Sequence, residues 1–189
     1  MKEKDFILAS SSPQRRQLLE SIGYLPKDIC PAGIDETVQI GEKPLPYIRR
    51  IAKQKALSVS SQKPNENILS ADTIIVVGQK IIQKSSSPEE QTEVMNLLSG
   101  RTHRVITSVC LITKEGRICQ RTVTTKIVMK HLTKKEINDY ISSNEWHGVA
   151  GYKIEGMLSG FVKKIIGSYT SVVGLPLYET KNLLDGIRI

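Results

Sequence analysis

The chain has 189 residues, and its apolar content of 39% and charged content of 24% are those of an ordinary globular protein, so we expect one α/β domain over residues 1–189. The formal net charge of +8 favours polyanionic partners, either a nucleic acid or a phosphorylated small molecule. No apolar segment is long enough to span a membrane, and the start MKEKDF lacks the apolar core of a signal peptide. The three cysteines lack metal-type spacing, so we expect reduced thiols in a cytoplasmic protein.

Helix-like and strand-like segments alternate along the chain, which is typical of a sheet covered by helices. Helices are predicted at residues 13–22, 45–60, 88–98, 133–142 and 175–184. Strands are predicted at residues 5–9, 68–71, 73–77, 80–82, 104–113 and 117–129. The last two strands flank Glu115-Gly116 and are expected to form an antiparallel hairpin.

The segment FILASSSPQRRQLLESIG, from Phe6 to Gly23, joins a short strand to a helix through three serines. The free N–H groups at a helix start, the positive end of its dipole and the serine hydroxyls can all donate to phosphate oxygens. Arg15 and Arg16 stand in the first turn, where a cation opposes the helix dipole, and a bound anion would explain their position. An ordinary capped surface helix, with Ser11 or Ser12 as its cap, explains the segment equally well.

A lysine interrupts the apolar face of the helix predicted at 45–60. At 3.6 residues per turn, Lys55 falls near the middle of the face that contains Leu45, Ile48 and Ala52. Such a lysine either extends along the helix edge to reach water or meets an anion. Lys53 lies off this face and is expected to be solvated.

Carboxylates stand at predicted strand ends and turns. Asp72 interrupts two strand-like runs. Glu36 follows a short apolar stretch, and its neighbour Asp35 is the alternative candidate for the same role. A carboxylate at such a place can hold Mg²⁺ or orient a water molecule, although a local turn is the commoner use of aspartate there. Lys84 follows Ile81-Ile82 and either reaches a phosphate or ends an edge strand.

Six segments then occur in order over nearly the full length: LASSSPQRRQLL, GIDET, RIAKQKA, SADTIIV, SGRTHRVITSV and AGYKIEGMLSGFVKKIIGSYTSVVGLPL. Together they resemble the Maf family of nucleoside triphosphate pyrophosphatases. The resemblance implies hydrolysis of a (d)NTP to a (d)NMP and pyrophosphate with a divalent cation, Mg²⁺ or Mn²⁺. It also implies an elongated, ITPase-like mixed sheet flanked by helices, with two lobes around a central cleft, a homodimer, and a role in clearing noncanonical nucleotides or restraining cell division.

The resemblance also assigns roles to individual residues. It implies that Asp72 is the catalytic carboxylate, that Glu36 and Asp72 contact the metal, and that Lys55 acts beside them. It further implies that Ser10 and Ser12 bind phosphate, and that Arg15 and Lys84 belong to the catalytic set with Asp72 and Lys55, Arg15 also binding the substrate.

Two positions depart from the family pattern. Gln14 stands where many relatives have an arginine, and Arg16 is the candidate substitute, although one residue along a helix changes direction by about 100°. Glu155 stands where the branch that prefers pyrimidine nucleotides usually has glutamine. An ionised glutamate only accepts hydrogen bonds, so Glu155 is a candidate substrate-binding residue and the preferred base stays open.

The competing interpretations are a basic nucleic-acid-binding protein and a cell-division regulator without turnover. Lys134-Lys135 and Lys163-Lys164 support the first of these, but they lack interleaved aromatic residues or a known reading motif, so we expect no nucleic-acid partner. Trp146 and Tyr169 could stack on a base or cover the core, and the sequence leaves this open.

Overall fold

The computed structural model describes residues 3–187, so residues 1–2 and 188–189 of the expected single domain lie outside the described part. The strands are β1 (Glu3–Leu8), β2 (Leu25–Ile29), β3 (Ile68–Val77), β4 (Lys80–Ile82), β5 (Thr102–Ile112), β6 (Ile118–Met129) and β7 (Val162–Ile166). The helices are α1 (Pro13–Ser21), α2 (Pro44–Gln62), α3 (Pro88–Leu98), α4 (Lys134–Ser142), α5 (Tyr169–Val173) and α6 (Leu177–Asp185), with a 3₁₀ helix at Gly156–Phe161.

Within the described residues the strands form one mixed sheet, which confirms the predicted α/β class. Its order is β2-β1-β3-β5-β6-β7, with β4 paired to β3 at the side. β1 runs parallel to β2 and β3, whereas β5 runs antiparallel to β3 and β6. The predicted hairpin is confirmed, with pairing that extends from Thr102 opposite Val128 to Ile112 opposite Ile118.

The predicted break at Asp72 is wrong, because β3 is continuous from Ile68 to Val77. Asp72 lies opposite Ser108 of β5 in regular antiparallel register. Its side chain needs no turn because Lys55 of α2 compensates its charge inside the fold. A buried charge with a partner is tolerated within a strand.

The sequence reading missed β2, β7, α5 and the 3₁₀ helix, each of five or six residues. β2 reads LPKDI and is an edge strand, where proline and charge are tolerated but remove the alternating apolar signal. β7 contains the adjacent, exposed Lys163 and Lys164 and is the other edge. Short, half-exposed elements bury too few side chains to give a clear period.

The buried side chains form clusters that share β3. Leu69 and Ala71 pack with the group around β1, α1 and α6, whereas Ile75 packs with the group around α3, α4 and the 3₁₀ helix. Trp146 belongs to the second group at 1% exposure, and its indole N–H donates to the Ile141 carbonyl at 3.1 Å. Trp146 is therefore a core residue, while Tyr169 is half exposed.

Residues 148–155 pack against the second group, and Gly151 is the tightest point of this contact. Its φ is +75°, and an added Cβ would lie 2.8 Å from Cδ1 of Ile75. The Gly151 carbonyl accepts a 2.6 Å hydrogen bond from the buried amide of Gln91. The positive φ therefore favours glycine here, and an alanine would in addition have to displace the terminal methyl group of Ile75.

We expect Gly151→Ala to lower the free energy of unfolding by about 2–4 kcal/mol, because left-handed strain and overpacking add. Gly78→Ala is the matched control, since Gly78 also has a positive φ of +61° but no atom within 4 Å of the added Cβ. Gly78→Ala should lower the free energy of unfolding by about 1 kcal/mol. Urea denaturation of both variants measures the difference, and equal losses would contradict the packing argument.

Candidate active site

A cleft of about 830 Å³ lies between the loop after β1, the loop that contains Glu36, the middle of β3, and residues 148–155. Most of the residues singled out in the sequence line it. They are Ser10, Ser12, Arg15, Glu36, Lys55, Asp72, Lys84 and Glu155. Positions far apart in the chain therefore converge on one cavity.

The loop after β1 begins α1 with a serine cap. Ser12, rather than Ser11, is the N-cap, and its Oγ accepts from the backbone N–H of Arg15 at 3.4 Å. Ser10 is buried at 7% exposure, and its Oγ accepts from the backbone N–H of Ser12 at 3.2 Å. The two hydroxyls thus fix the loop and lie on the wall of the cleft.

Arg15 is held at both sides of its guanidinium. Its Nε donates to the Gly174 carbonyl at 2.9 Å, and its Nη1 donates to Ser10 Oγ at 2.9 Å. Burial lowers the pKa of Arg15, and the carboxylates of Asp72 and Glu36 act in the opposite direction. An arginine starts so far above neutral pH that it stays charged, so the cleft has a fixed, oriented cation here.

The proposal that Arg16 substitutes for the missing loop arginine is corrected by the structure. Arg16 lies outside the cleft, 57% exposed, and its Nε contacts Glu20 Oε1 at 2.7 Å. The step of about 100° from Arg15 turns it to the solvent face of α1. Gln14 lines the cleft instead, and its Oε1 accepts from Ser12 Oγ at 3.2 Å.

Lys55 is the centre of the charged groups. Its Nζ lies 2.6 Å from Asp72 Oδ1 and 2.9 Å from Glu36 Oε1. The side chains of Lys55 and Asp72 are each 12% exposed, whereas that of Glu36 is 46% exposed. Lys55 therefore meets anions rather than extending to water, and Lys53 is exposed as predicted.

The two carboxylates that contact Lys55, those of Glu36 and Asp72, are also the candidate ligands of the expected metal. Among residues 3–187, no group of three or more histidine, cysteine, aspartate or glutamate side chains could hold a metal ion. Mg²⁺ in nucleotide sites commonly uses one or two carboxylates and takes its other ligands from phosphate and water. The pair formed by Glu36 and Asp72 fits a cation that binds together with a triphosphate.

Asp35 is not part of this arrangement. Its Oδ1 accepts from the backbone N–H of Thr37 at 2.9 Å and from the Thr37 hydroxyl at 2.6 Å. These bonds form a local turn and lower the pKa of Asp35. Glu36, and not its neighbour, faces Lys55.

The opposite wall consists of Lys84, Lys153 and Glu155. Lys84 pairs through its backbone with Ala150 and has an exposed side chain. Lys153 was not identified from the sequence as a residue of the cleft, although it lies two residues before Glu155 in the segment GYKIEG. Within the described residues, neither lysine forms an ion pair.

The chain is similar to proteins of one family over nearly its whole length. A family model described as Maf-like protein matches residues 5–187. The chain belongs to the Maf family. The dTTP/UTP pyrophosphatase of Paramagnetospirillum magneticum is 45% identical over 181 residues, which cover 95% of either chain. That of Agrobacterium fabrum is 43% identical over 191 residues, which cover 97% of this chain and 92% of the relative.

A solved structure of a protein with a different name is less similar to this Maf chain. The nucleoside-triphosphatase / dITP/XTP pyrophosphatase of Mycobacterium abscessus matches with a TM-score of 0.44 and 14% identity, over 69% of this chain and 76% of that one. None of the helices in residues 3–187 combines the length and apolar character needed to cross a bilayer.

Two tyrosines of the cleft were not predicted. Tyr47 is 4% exposed, and its hydroxyl donates to the Glu36 carbonyl at 2.8 Å. Burial raises the pKa of Tyr47 to about 12, so the hydroxyl keeps its proton. Leu45, which the helical pattern placed on the buried face, is instead 41% exposed.

The second tyrosine, Tyr152, packs edge-on against His103, with 2.5 Å between its hydroxyl oxygen and Nε2. Both side chains are buried, and Nδ1 of His103 has no hydrogen-bond partner among residues 3–187. Burial lowers the pKa of His103 from 6.5 to about 4. His103 is therefore neutral in the folded protein and supports the wall that contains Lys153 and Glu155.

This burial predicts a pH effect on stability. Between pH 6.5 and about 4 the unfolded chain protonates His103 while the folded chain does not, so the free energy of unfolding falls as pH decreases. At about 1.4 kcal/mol per pKa unit, His103 accounts for a loss of about 3 kcal/mol across this range. Urea denaturation at several pH values should show a flatter profile for His103→Gln and an unchanged one for His147→Gln, which alters an exposed histidine. Parallel profiles for all three proteins would refute this assignment.

Proposed function

We propose that this Maf-family chain hydrolyses dTTP and UTP to the monophosphate and pyrophosphate. The observation that carries the proposal is the contact of Lys55 with Asp72 and Glu36 in the same cleft as the serine loop and Arg15. The names of the 43–45% identical relatives support both the reaction and the pyrimidine base. The homodimer, the cytoplasmic location and the clearing of noncanonical nucleotides stay predictions.

The cleft supplies the charge that a triphosphate needs. Such a substrate has close to four negative charges, and Arg15, Lys55, Lys84 and the N–H groups at the start of α1 are cations and donors along its walls. Because these groups are fixed before the substrate binds, they stabilise charge that develops in the transition state without reorganising. A divalent cation held by Glu36 and Asp72 would add Lewis-acid stabilisation of the phosphate oxygens.

Asp72 is the group best placed to act as the base. Its Oδ1 is held by Lys55 at 2.6 Å, and the regular pairing of β3 with β5 fixes its backbone. Asp72 accepts a proton as the water oxygen bonds to the α-phosphorus, and the bond from that phosphorus to the bridging oxygen breaks. The pyrophosphate leaves as an anion stabilised by Arg15 and Lys84.

The alternative functions are less well supported. Lys134-Lys135 and Lys163-Lys164 lie on separate elements, α4 and β7, and Lys135 pairs with Asp139. Neither pair is interleaved with aromatic residues in the sequence. The names of the 43–45% identical relatives favour an enzyme over a cell-division regulator without turnover.

Asp72→Asn should lower kcat/KM for UTP by about a hundredfold or more, because the amide cannot take the proton. Pyrophosphate release with Mg²⁺ or Mn²⁺ measures this loss. Asp28→Asn, which removes an exposed carboxylate paired with Lys63, is the control and should leave turnover unchanged. Full activity of a folded Asp72→Asn protein would overturn the assignment of the base.

Glu155 is a test of base preference, because it lines the cleft and is exposed. The edge of uracil or thymine presents two acceptors beside one N–H, so a carboxylate satisfies only the N–H. One added neutral hydrogen bond contributes about 0.5–1.5 kcal/mol.

Glu155→Gln should therefore raise kcat/KM for UTP and dTTP, relative to GTP, by about two- to tenfold. A panel of canonical and modified triphosphates gives this ratio from pyrophosphate release. An unchanged ratio would show that Glu155 does not contact the base, while the reaction itself would still be judged by Asp72→Asn.

A further inference from the structure

Arg50 begins the RIAKQKA segment and takes no part in the proposed reaction, yet its guanidinium is among the most connected in the protein. Its Nε and Nη2 donate to the two carboxylate oxygens of Glu42, at 2.7 and 2.6 Å. Nη2 also donates to the Thr37 carbonyl at 3.0 Å, and Nη1 donates to Gln54 Oε1 at 3.0 Å. The ion pair is mostly shielded, with 20% of the Arg50 side chain and 9% of the Glu42 side chain exposed.

Tyr47 lies one turn earlier on the same face of α2. Its hydroxyl donates to the Glu36 carbonyl, and the guanidinium carbon of Arg50 lies 5.5 Å from its ring centroid. Tyr47 and Arg50 therefore hold two consecutive carbonyls of one loop, those of Glu36 and Thr37. The contact between guanidinium and ring also fixes the two side chains relative to each other.

Residues 30–39 form neither helix nor strand, so side chains hold this loop: Ile34 and Val38 pack against the core, and Tyr47 and Arg50 bind the carbonyls beside them. The Glu36 carboxylate is half exposed and touches Lys55, a third residue of α2. Packing around the carboxylate therefore restrains it little, and the backbone of the loop sets where it lies. Tyr47 and Arg50 supply that restraint from the helix that also presents Lys55.

We propose that Tyr47 and Arg50 are positioning residues that hold Glu36 opposite Asp72. This inference rests on the proposed function, in which Glu36 contacts the cation that arrives with the nucleotide. Lysine cannot replace Arg50. The planar guanidinium donates to both oxygens of Glu42 and to the Thr37 carbonyl, and one ammonium cannot reproduce that geometry. Phenylalanine cannot replace Tyr47, because the Glu36 carbonyl loses its donor.

A double-mutant cycle with Glu36→Gln tests this. Tyr47→Phe and Arg50→Lys should each lower kcat/KM by about 10- to 100-fold in the wild-type background, as outer partners of ligand residues commonly do. In the Glu36→Gln background the same changes should lower kcat/KM by less than threefold. The Glu36 carboxylate through which they act is already absent from that protein. Arg49→Lys is the matched control, since Arg49 donates to Thr122 on β6 and does not touch the loop.

A second measurement does not depend on turnover. Mn²⁺ binding is followed by electron paramagnetic resonance in the presence of a UTP analogue with a methylene group between the α and β phosphorus atoms. Tyr47→Phe, Arg50→Lys and Glu36→Gln should weaken Mn²⁺ binding by about 10- to 100-fold, and Arg49→Lys should not.

The outcomes separate the inference from the proposed function. Equal losses of kcat/KM in both backgrounds, or unchanged Mn²⁺ affinity in Tyr47→Phe and Arg50→Lys, would overturn the positioning role. A folded wild-type protein without turnover would overturn the proposed function, and the Mn²⁺ titration would then decide the positioning role by itself. A wild-type protein that turned over UTP but bound no Mn²⁺ would overturn the positioning role and leave the proposed function standing.

Discussion

The cleft depends on one ammonium placed between two carboxylates. Without Lys55, Asp72 would lose its ion-pair partner inside the sheet and keep only the interaction with the charge of Arg15, and removing one partner of a buried pair is strongly destabilising. With Lys55, the same carboxylate is oriented at the wall of the cleft. Glu36 is half exposed and contacts Lys55 on the side that opens to solvent. Lys55, Asp72 and Glu36 therefore balance charge inside the protein and also line the entrance for a polyanion.

A second set of contacts ties the phosphate loop to the C-terminal part of the chain. The Gly174 carbonyl receives Arg15 Nε, and the buried Thr107 hydroxyl donates to the Ser171 carbonyl at 2.7 Å while lying 2.9 Å from the hydroxyl of Thr73. Thr73 is the neighbour of Asp72 in β3. The orientation of Arg15 and the strand that contains Asp72 therefore share one hydrogen-bonded support, built from residues that are distant in sequence.

The sequence was most informative where local patterns were long or anomalous. The hairpin of β5 and β6 and the long helix α2 have clear periods, and Lys55, Arg15 and Asp72 stood out because their charge conflicted with their position. The continuous β3 was not predictable, because the partner that compensates Asp72 lies on another element. Tyr47, Lys153 and His103 were missed for a related reason: each contact joins segments whose proximity only the tertiary fold creates.

The continuity of β3 has a mechanical consequence. Leu69 and Ala71 are anchored in one group of core residues and Ile75 in another, so the strand passes from one wall of the cleft to the other with Asp72 between them. Asp72 is therefore fixed on both sides along its strand, and its register with Ser108 of β5 fixes it across the sheet. The sheet, and not the loops that form the rest of the cleft, holds the backbone of this carboxylate.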